Sequence, residues 1–251
     1  MPALNLQQHC RRCLRLLALP GSVLVALPLA VVSACGGVEW ATYTWARITS
    51  AFLGLRVVRR GPLPPPGSLV VSNHVGYLDI LALGSSVPGR FLAKREIAGW
   101  PLLGRMARWG GSVFIDRASA RGSRGLLGGV VHTLRLGHRV LLFAEGEVSP
   151  DGHTLRPFRP MLFETCLVAG RPIVPVAICY RVPEDPTVWA WIDEPSLWRH
   201  LWCRVLHQPY IRVEVRVGEP IHATPGADRK LLAETAQRAV ERLLRPVSVA
   251  G

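Results

Sequence analysis

The sequence has little acidic charge, few aromatic side chains and few lysines. Asp and Glu number 17 against 30 Lys and Arg, giving a formal net charge of +13 over 251 residues. Aromatic residues make up 7% of the chain and hydrophobic residues 49%. The scarcity of aromatics and the lack of a recognisable binding motif disfavour nucleic acid as the anionic partner. A membrane leaflet with anionic lipids explains the positive charge and the apolar excess together.

Two motifs are incomplete, and each gap excludes a kind of chemistry. Cys10 and Cys13 have metal-ligand spacing, but no second C-x2-C or histidine pair completes a set of four ligands, so we predict no metal and no cofactor. The segment Gly84–Gly89 has the wrong spacing for a G-x-S-x-G nucleophile elbow, which disfavours a covalent serine intermediate. The other cysteines have apolar neighbours and are typical of small buried side chains in a reducing compartment; they are Cys35, Cys166, Cys179 and Cys203.

The N-terminal region is a candidate membrane anchor. Leu16 to Val38 is a run of 23 residues without a charged side chain, long enough to cross a bilayer, although prolines and glycines interrupt it. Aromatic residues that favour the interface follow in Ala41–Leu55. We predict a helical pair that dips into one leaflet from the cytoplasmic side, with a single span or a buried core helix as alternatives. The turn-rich linker Gly61–Gly67 then separates an anchoring unit, residues 1–60, from a catalytic domain, residues 61–251.

Beyond the linker, apolar runs alternate with helical patterns. The strand-like runs are Ser68–Val71, Val113–Ile115, Val140–Phe143, Ile173–Tyr180 and Ile211–Val217. The helical patterns are Asp79–Leu83, Pro101–Trp109, Ser119–Leu136, Met161–Ala169 and Asp228–Leu244. This alternation predicts an α/β fold with a mostly parallel sheet flanked by helices.

A histidine and an aspartate stand five residues apart in Asn73–Asp79, directly after the first apolar run. Residues five apart on one helix point about 140° away from each other, so His74 and Asp79 must straddle a boundary to meet. A strand that ends near Asn73 and a helix that begins near Gly76 would bring them together where α/β proteins hold ligands. A neutral imidazole accepts a proton near pH 7, and a carboxylate on its far nitrogen fixes the tautomer.

Four sequence blocks follow in order between Asn73 and about Tyr180. They are Asn73–Asp79, Gly111–Arg117, Phe143–Gly146 and Ile173–Ala177, with Lys94 in the run Phe91–Glu96. Their order and spacing resemble the glycerolipid acyltransferase superfamily, which includes the 1-acyl-glycerol-3-phosphate acyltransferases. Two positions depart from the pattern. Gly76 replaces a small hydroxyl residue, and Glu147-Val148 replaces the Thr-Arg or Thr-Thr that usually follows the third block.

The resemblance implies roles for six residues. His74 would be the general base and Asp79 the carboxylate that orients it. Lys94 and Arg117 would hold an anionic head group or the donor's phosphates, or else form ordinary salt bridges. Glu145 and Gly146 would position the acceptor, although an acidic residue at a strand end can also serve a turn. Because no arginine follows the third block, Arg156 and Arg159 are either substitute phosphate contacts or solvated loop charges.

The resemblance also implies a function. We expect transfer of an acyl group from acyl-CoA or acyl carrier protein to the hydroxyl of a lysolipid during phospholipid biosynthesis, at the cytoplasmic face of the inner membrane. Lysophosphatidate is the default acceptor, and lyso-ornithine lipid competes because Ser149–Gly152 and Pro157-Phe158 look like that branch. The rival interpretations are a lipid hydrolase and a non-catalytic membrane-binding relative.

Overall fold

A computed structural model describes residues 13–15, 21, 37–99, 103–115, 120–192, 196–224 and 226–245. Most of the predicted anchor Leu16–Val38, together with Cys10 and Arg117, lies outside these residues. Within the described ranges, no helix has both the length and the apolarity that a bilayer crossing requires.

Seven strands form one sheet in the order β1-β7-β6-β2-β5-β3-β4. The strands are β1 (Leu55–Arg60), β2 (Leu69–Ser72), β3 (Arg90–Lys94), β4 (Val113–Ile115), β5 (Val140–Phe143), β6 (Ile173–Val182) and β7 (Ile211–Val217). β6 and β7 run antiparallel to each other, whereas the other neighbouring strands are parallel. The predicted α/β fold with a mostly parallel sheet is therefore confirmed.

Helices cover both faces of this sheet. They are α1 (Val38–Leu53), α2 (Leu78–Gly84), α3 (Arg95–Ala98), α4 (Leu103–Trp109), α5 (Ala120–Arg135), α6 (Glu164–Ala169), α7 (Pro186–Trp189), α8 (Leu197–His200) and α9 (Arg229–Leu244). A 3-10 turn, Pro160–Phe163, precedes α6, and a π-helical turn, Leu201–Val205, follows α8. Along β2, Val70 packs into the core on one face while Leu69 and Val71 pack into the core on the other, as the two-residue period of a strand requires.

The carboxyl ends of the central strands meet at one edge, called here the carboxyl edge. Ser72 at the end of β2 is in register with Phe143 of β5 and Val176 of β6. Because β7 is antiparallel to β6, the connection from Val182 to Ile211 leaves and returns at this same edge. The segments that follow β2, β5 and β6 are thus brought close together, where ligand sites of α/β proteins assemble.

The sheet begins before the boundary predicted at residue 60. β1 pairs with β7 from Leu55↔Ile211 to Arg60↔Arg216, and Ala46 of α1 lies in the same core as Leu55. The charges of Arg56 and Arg59 suggested a basic flank rather than a strand. An edge strand accepts such charges because only one of its sides is paired, and charged side chains also protect the free side from aggregation.

Candidate active site

His74 and Asp79 meet at the carboxyl edge, in a loop that runs from β2 into α2. The loop Asn73–Asp79 is called the motif loop below. His74 Nδ1 lies 2.9 Å from Asp79 Oδ2. The Asp79 side chain is fully buried, whereas the His74 side chain keeps 18% of its surface exposed. The imidazole is therefore reachable from solvent, while its carboxylate partner is shielded.

The Asp79 carboxylate accepts four hydrogen bonds. Oδ2 accepts from the backbone N–H groups of Val75, at 2.6 Å, and Gly76, at 2.9 Å, as well as contacting His74 Nδ1. Oδ1 accepts from the Tyr180 hydroxyl at 2.8 Å. These donors compensate a buried carboxylate for lost hydration. Since a carboxylate only accepts, His74 Nδ1 carries the proton and the neutral ring presents the Nε2 lone pair as its basic site.

An aromatic wall fixes the plane of the imidazole. The rings of His74 and Phe143 stack with centroids 4.1 Å apart and an interplanar angle of 11°. Phe91 lies behind Phe143, at 6.2 Å between centroids. Phe143 ends β5 and Phe91 belongs to β3, so two strands hold the ring from the side opposite β6.

Glu145 is buried and both of its carboxylate oxygens accept backbone N–H groups. Oε1 accepts from His74 N and Oε2 from Arg156 N, each at 2.7 Å. Burial raises the pKa of this carboxyl, and the two N–H groups partly oppose that rise. The sequence suggested a carboxylate aimed at a substrate hydroxyl or an arginine. In this geometry Glu145 ties the backbone of His74 to the segment that follows β5, and its role in positioning the acceptor stays a prediction.

Gly146 adopts a left-handed conformation, with φ of +78°. A Cβ there would lie 2.6 Å from Nε of Arg159, so a larger residue would meet strain and crowding together. The prediction for Gly146 was close approach of the backbone to a ligand. In the structure, Gly146 forms part of a tight turn that leads from β5 into the next loop.

The loop Glu145–Arg159, called the charged loop below, carries the departure from the superfamily pattern. Glu147 Oε2 lies 3.4 Å from Arg156 and Oε1 lies 3.2 Å from Arg159. All three side chains are exposed. The two arginines that were candidate phosphate contacts therefore share one carboxylate partner.

Two side chains whose roles the sequence did not predict, those of Asn73 and Tyr180, join the motif loop to β6. Asn73 pairs with β6 through its side-chain amide, which accepts from Ile178 N at 2.8 Å and donates to Ile178 O at 3.1 Å. Tyr180, two residues further along β6, supplies the hydroxyl to Asp79. A tyrosine at the end of an apolar strand is a usable signal, because a buried phenol needs a hydrogen-bond partner.

Gly76 is crowded by the connection between β6 and β7. A Cβ at this position would lie 2.9 Å from the carbonyl oxygen of Trp189 and 3.2 Å from Trp191 N. Trp191 N also donates to Val75 O at 3.1 Å. This chain packs the backbone of the connection into the space that a hydroxyl residue would need.

The structure describes only the backbone of Lys94 and no part of Arg117, the two residues predicted to hold an anionic group. The backbone of Lys94 ends β3 and pairs with Ile115 of β4, while its side chain lies outside the described part of the structure. Arg117 lies outside the described residues altogether. Their roles remain predictions.

A cavity of about 450 Å³ opens on the β6 side of the motif loop. Its walls include Asn73, Val75, Tyr180 and Trp189. The stacked His74 ring lies on the other side of the loop, against β5. The motif loop thus separates an aromatic wall from an open cavity.

Residues 54–179 match the family model described as Acyltransferase. A 1-acyl-sn-glycerol-3-phosphate acyltransferase of Neisseria gonorrhoeae is 41% identical over 128 residues, covering 51% of this chain and 50% of the relative, so the match spans about half the length of that protein. A lyso-ornithine lipid O-acyltransferase of Pseudomonas aeruginosa is 37% identical over 204 residues, covering 81% of this chain and 78% of the relative. The crystal structure of the 1-acyl-sn-glycerophosphate acyltransferase of Thermotoga maritima shares the fold, with a TM-score of 0.68 at 15% identity, covering 97% of this chain and 98% of that chain.

Proposed function

Because the chain belongs to the acyltransferase family, we propose that it transfers a fatty acyl group from a thioester donor to the free hydroxyl of a lysolipid. The observation that carries the proposal is the 2.9 Å contact between His74 Nδ1 and a buried Asp79, in a histidine whose side chain keeps 18% of its surface exposed. Such a ring is ready to accept a hydroxyl proton.

The proposed reaction needs no covalent enzyme intermediate. His74 Nε2 takes the acceptor's hydroxyl proton while that oxygen forms a bond to the thioester carbonyl carbon. The tetrahedral intermediate then expels the thiolate, which receives the proton from the imidazolium and leaves as a free thiol. Asp79 stabilises the imidazolium between the two transfers, and general base catalysis of this kind contributes about 10²–10⁴-fold.

The donor and the cationic contacts belong to the same proposal. Acyl-CoA and acyl carrier protein both present a thioester and phosphate groups, which Lys94 and Arg117 are proposed to hold. The acyl chains would be delivered from the cytoplasmic face of the inner membrane, with the chain upstream of β1 as the anchor. The net charge of +13 supports attraction to an anionic leaflet.

For the acceptor, the charged loop favours lyso-ornithine lipid. Glu147 forms ion pairs with both Arg156 and Arg159. Because this carboxylate partly neutralises the two guanidinium groups, the loop is a weaker site for a phosphate dianion. A zwitterionic head group makes a smaller demand for positive charge. The long match to the lyso-ornithine lipid O-acyltransferase of Pseudomonas aeruginosa supports the same choice.

The second candidate acceptor is 1-acylglycerol-3-phosphate. It is favoured by the 41% identity to the Neisseria gonorrhoeae relative. In this alternative the phosphate would displace Glu147 from the two arginines.

A panel of lysolipids tests the proposal on the purified full-length protein, with acyl-CoA and acyl carrier protein offered separately as donors. We expect diacyl product from lyso-ornithine lipid, formed about a thousandfold more slowly by the His74→Ala and Asp79→Asn variants. Product from 1-acylglycerol-3-phosphate alone would select the second acceptor. Fatty acid released without any acceptor would instead identify a hydrolase, and no turnover of any pair by a folded protein would identify a non-catalytic relative.

A further inference from the structure

The cavity of about 450 Å³ beside the motif loop is large enough for a small ligand, since pockets of about 300–1,000 Å³ are typical of ligand sites. It is called the β6 cavity below. Its wall includes Asn73 and Val75, the residues on either side of His74. The charged loop closes another side through Gly152, and Ser149 of that loop donates to His74 O at 2.7 Å. The β6 cavity therefore lies one residue from the candidate base.

Two polar side chains in the wall are already bonded within the protein. The Asn73 amide exchanges hydrogen bonds with the backbone of Ile178, and the Tyr180 hydroxyl donates to Asp79 Oδ1. Trp189 stacks on Tyr180 with ring centroids 4.7 Å apart and an interplanar angle of 6°. These contacts form a rigid wall that is joined to Asp79, and they leave recognition of a ligand to the charged residues of the cavity.

Arg181 is one of these charged residues, and a β-bulge places it. Tyr180 is in register with Val213 and Val182 with Arg212, so Arg181 has no residue opposite it in β7. A bulge re-aims side chains, which lets the consecutive residues Tyr180 and Arg181 both line the β6 cavity. The irregularity in β6 thus adds a cationic residue to the wall.

The Arg181 guanidinium keeps most of its hydrogen-bonding capacity. Its Nε lies 3.4 Å from Glu214 Oε2, an oxygen that also contacts Arg216 at 3.1 Å and 3.3 Å. The two terminal nitrogens of Arg181 form no hydrogen bond within the described part of the chain. Burial raises the pKa of the Cys179 thiol in the same wall, and Arg216 and Arg181 oppose that rise, so their positive charge acts at the cavity. Arg181 can therefore donate to an anionic ligand, and a carboxylate matches its planar fork.

Glu184 supplies the opposite charge three residues further along. It is exposed, lines the β6 cavity and forms no ion pair with any residue that the structure describes. Its neighbour Asp185 has a structural use, because it caps α7 by accepting from Thr187 N at 2.9 Å. A phosphate dianion in the cavity would meet the charge of Glu184, and an acyl chain would meet both charges. A head group that carries both a carboxylate and an ammonium group complements the pair.

We propose that the β6 cavity binds the head group of the acceptor, with Arg181 on a carboxylate and Glu184 on an ammonium group. An ornithine that is acylated on one nitrogen keeps both of these groups, whereas a glycerol phosphate has neither. The inference rests on the proposed function, since it identifies the class of acceptor that the acyl transfer uses. The hydroxyl, carried on the flexible part of the lysolipid, crosses the motif loop to reach the imidazole.

Binding without an acyl donor tests the inference on the full-length protein in detergent. The probe is Nα-hexanoylornithine, a soluble short-chain form of the acceptor, and calorimetric titration gives its Kd. Two analogues each remove one charge: Nα-hexanoylornithine amide lacks the carboxylate, and N-hexanoylnorvaline lacks the ammonium group. The unaltered protein should bind the amide about tenfold and the norvaline compound about threefold more weakly than the probe, because a partly buried charge pair contributes more than an exposed one.

Variants assign each charge of the probe to one residue. Arg181→Gln should weaken binding of the probe about tenfold and change the affinity for the amide by less than about twofold, since the amide already lacks the partner. Glu184→Gln should weaken binding of the probe about threefold and leave the affinity for the norvaline compound unchanged. The controls Arg238→Gln and Glu234→Gln make the same changes of charge at exposed positions of α9 outside the cavity wall, and they should bind like the unaltered protein. Equal thermal unfolding of all four variants would show that the fold is intact.

Three outcomes overturn the inference. The first is an unaltered protein that binds both analogues as tightly as the probe, a result that does not depend on any variant. The second is the wild-type Kd for the probe in both Arg181→Gln and Glu184→Gln, or an equal loss for the probe and both analogues, which would be an effect on cavity shape. The third is weaker binding of glycerol-3-phosphate alone in Arg181→Gln, which would assign this arginine to a phosphate.

Failure of the inference and failure of the proposed function have different signatures. Acyl transfer to lyso-ornithine lipid with a wild-type KM in Arg181→Gln and Glu184→Gln would contradict the inference alone. Charge-selective binding of the probe by a protein that transfers no acyl group would contradict the proposed function alone.

Discussion

The motif loop and the charged loop lie at the same edge of the sheet, but they treat charge in opposite ways. Asp79 is buried and its two oxygens accept four hydrogen bonds. Glu147 is 53% exposed and is shared by two exposed arginines. Buried, fully bonded groups hold one geometry, whereas exposed ion pairs are weak and exchange partners readily. Under the proposed function, the first loop suits the fixed geometry of proton transfer and the second suits an adjustable recognition of a head group.

Replacing the imidazole gives the largest expected effect on the motif loop. In His74→Ala, kcat should fall about a thousandfold, because the hydroxyl proton loses its acceptor. Asp79→Asn should cause a similar loss, since an amide carries no charge to stabilise the imidazolium and its NH2 group can donate to Nδ1, which favours the wrong tautomer. Steady-state rates with the best lysolipid from the panel measure both.

The exposed His153 of the charged loop provides the matched control. His153→Ala should keep kcat within about twofold, since its ring contacts Trp189 rather than the dyad. A His74→Ala protein as active as the unaltered protein would remove the base assignment.

A comparison of variants at Tyr180 and Tyr77 distinguishes support of the His74–Asp79 pair from general packing. Tyr180→Phe removes the donor to Asp79 Oδ1 and leaves a buried carboxylate oxygen unsatisfied, which should cost about 1–3 kcal/mol of unfolding free energy. We expect kcat to fall about tenfold or more, because the carboxylate becomes free to shift. Steady-state measurement of kcat and chemical denaturation, both carried out over a range of pH, check the two effects.

Tyr77→Phe is the control, because it removes a partly buried hydroxyl that is bonded to His200 and not to Asp79. It should cost about 0.5–1.5 kcal/mol of stability with little change in kcat. Equal losses of kcat in the two variants would show that Tyr180 acts through packing alone, and Asp79 would then not depend on its hydroxyl.

Gly76→Ser restores the residue type that the superfamily usually has and tests how tightly the motif loop is packed. The new Cβ would stand 2.9 Å from the Trp189 carbonyl oxygen, so the connection must move away. Overpacking of this kind should cost about 1–3 kcal/mol of unfolding free energy. Chemical denaturation measures the loss.

Gly128 of α5 is the matched glycine, since a Cβ there meets nothing within 4 Å. Gly128→Ser should be neutral or slightly stabilising, because glycine is a poor helix former. An unchanged free energy of unfolding in Gly76→Ser would mean that the connection between β6 and β7 moves away at no cost. The motif loop would then be less tightly packed than the full burial of Asp79 suggests.

The sequence predicted the parts of this architecture that depend on local patterns. β4, β5 and β7 begin and end at the predicted residues, and the helix after His74 begins at Leu78 rather than Gly76. Tyr180 could not be assigned to Asp79 in the same way, because 101 residues separate them and only the strand order brings them together. The role of Glu145 was hidden for a related reason, since the N–H groups that occupy its oxygens belong to backbone at residues 74 and 156.

The smallest expected effect concerns the charged loop, and it bears most directly on the acceptor. Glu147→Gln releases Arg156 and Arg159 from their shared carboxylate. Exposed pairs of this kind are worth about 0–1 kcal/mol, so KM for 1-acylglycerol-3-phosphate should fall by no more than about fivefold, while KM for lyso-ornithine lipid should stay the same or rise slightly. Glu234→Gln on the exposed side of α9 makes the same change of net charge without removing the partner of Arg156 and Arg159, and it should alter neither value. A fall in KM for both acceptors in both variants would be a general electrostatic effect on an anionic surface. A fall confined to the phosphate acceptor in Glu147→Gln would identify Glu147 as the residue that turns this loop away from phosphate.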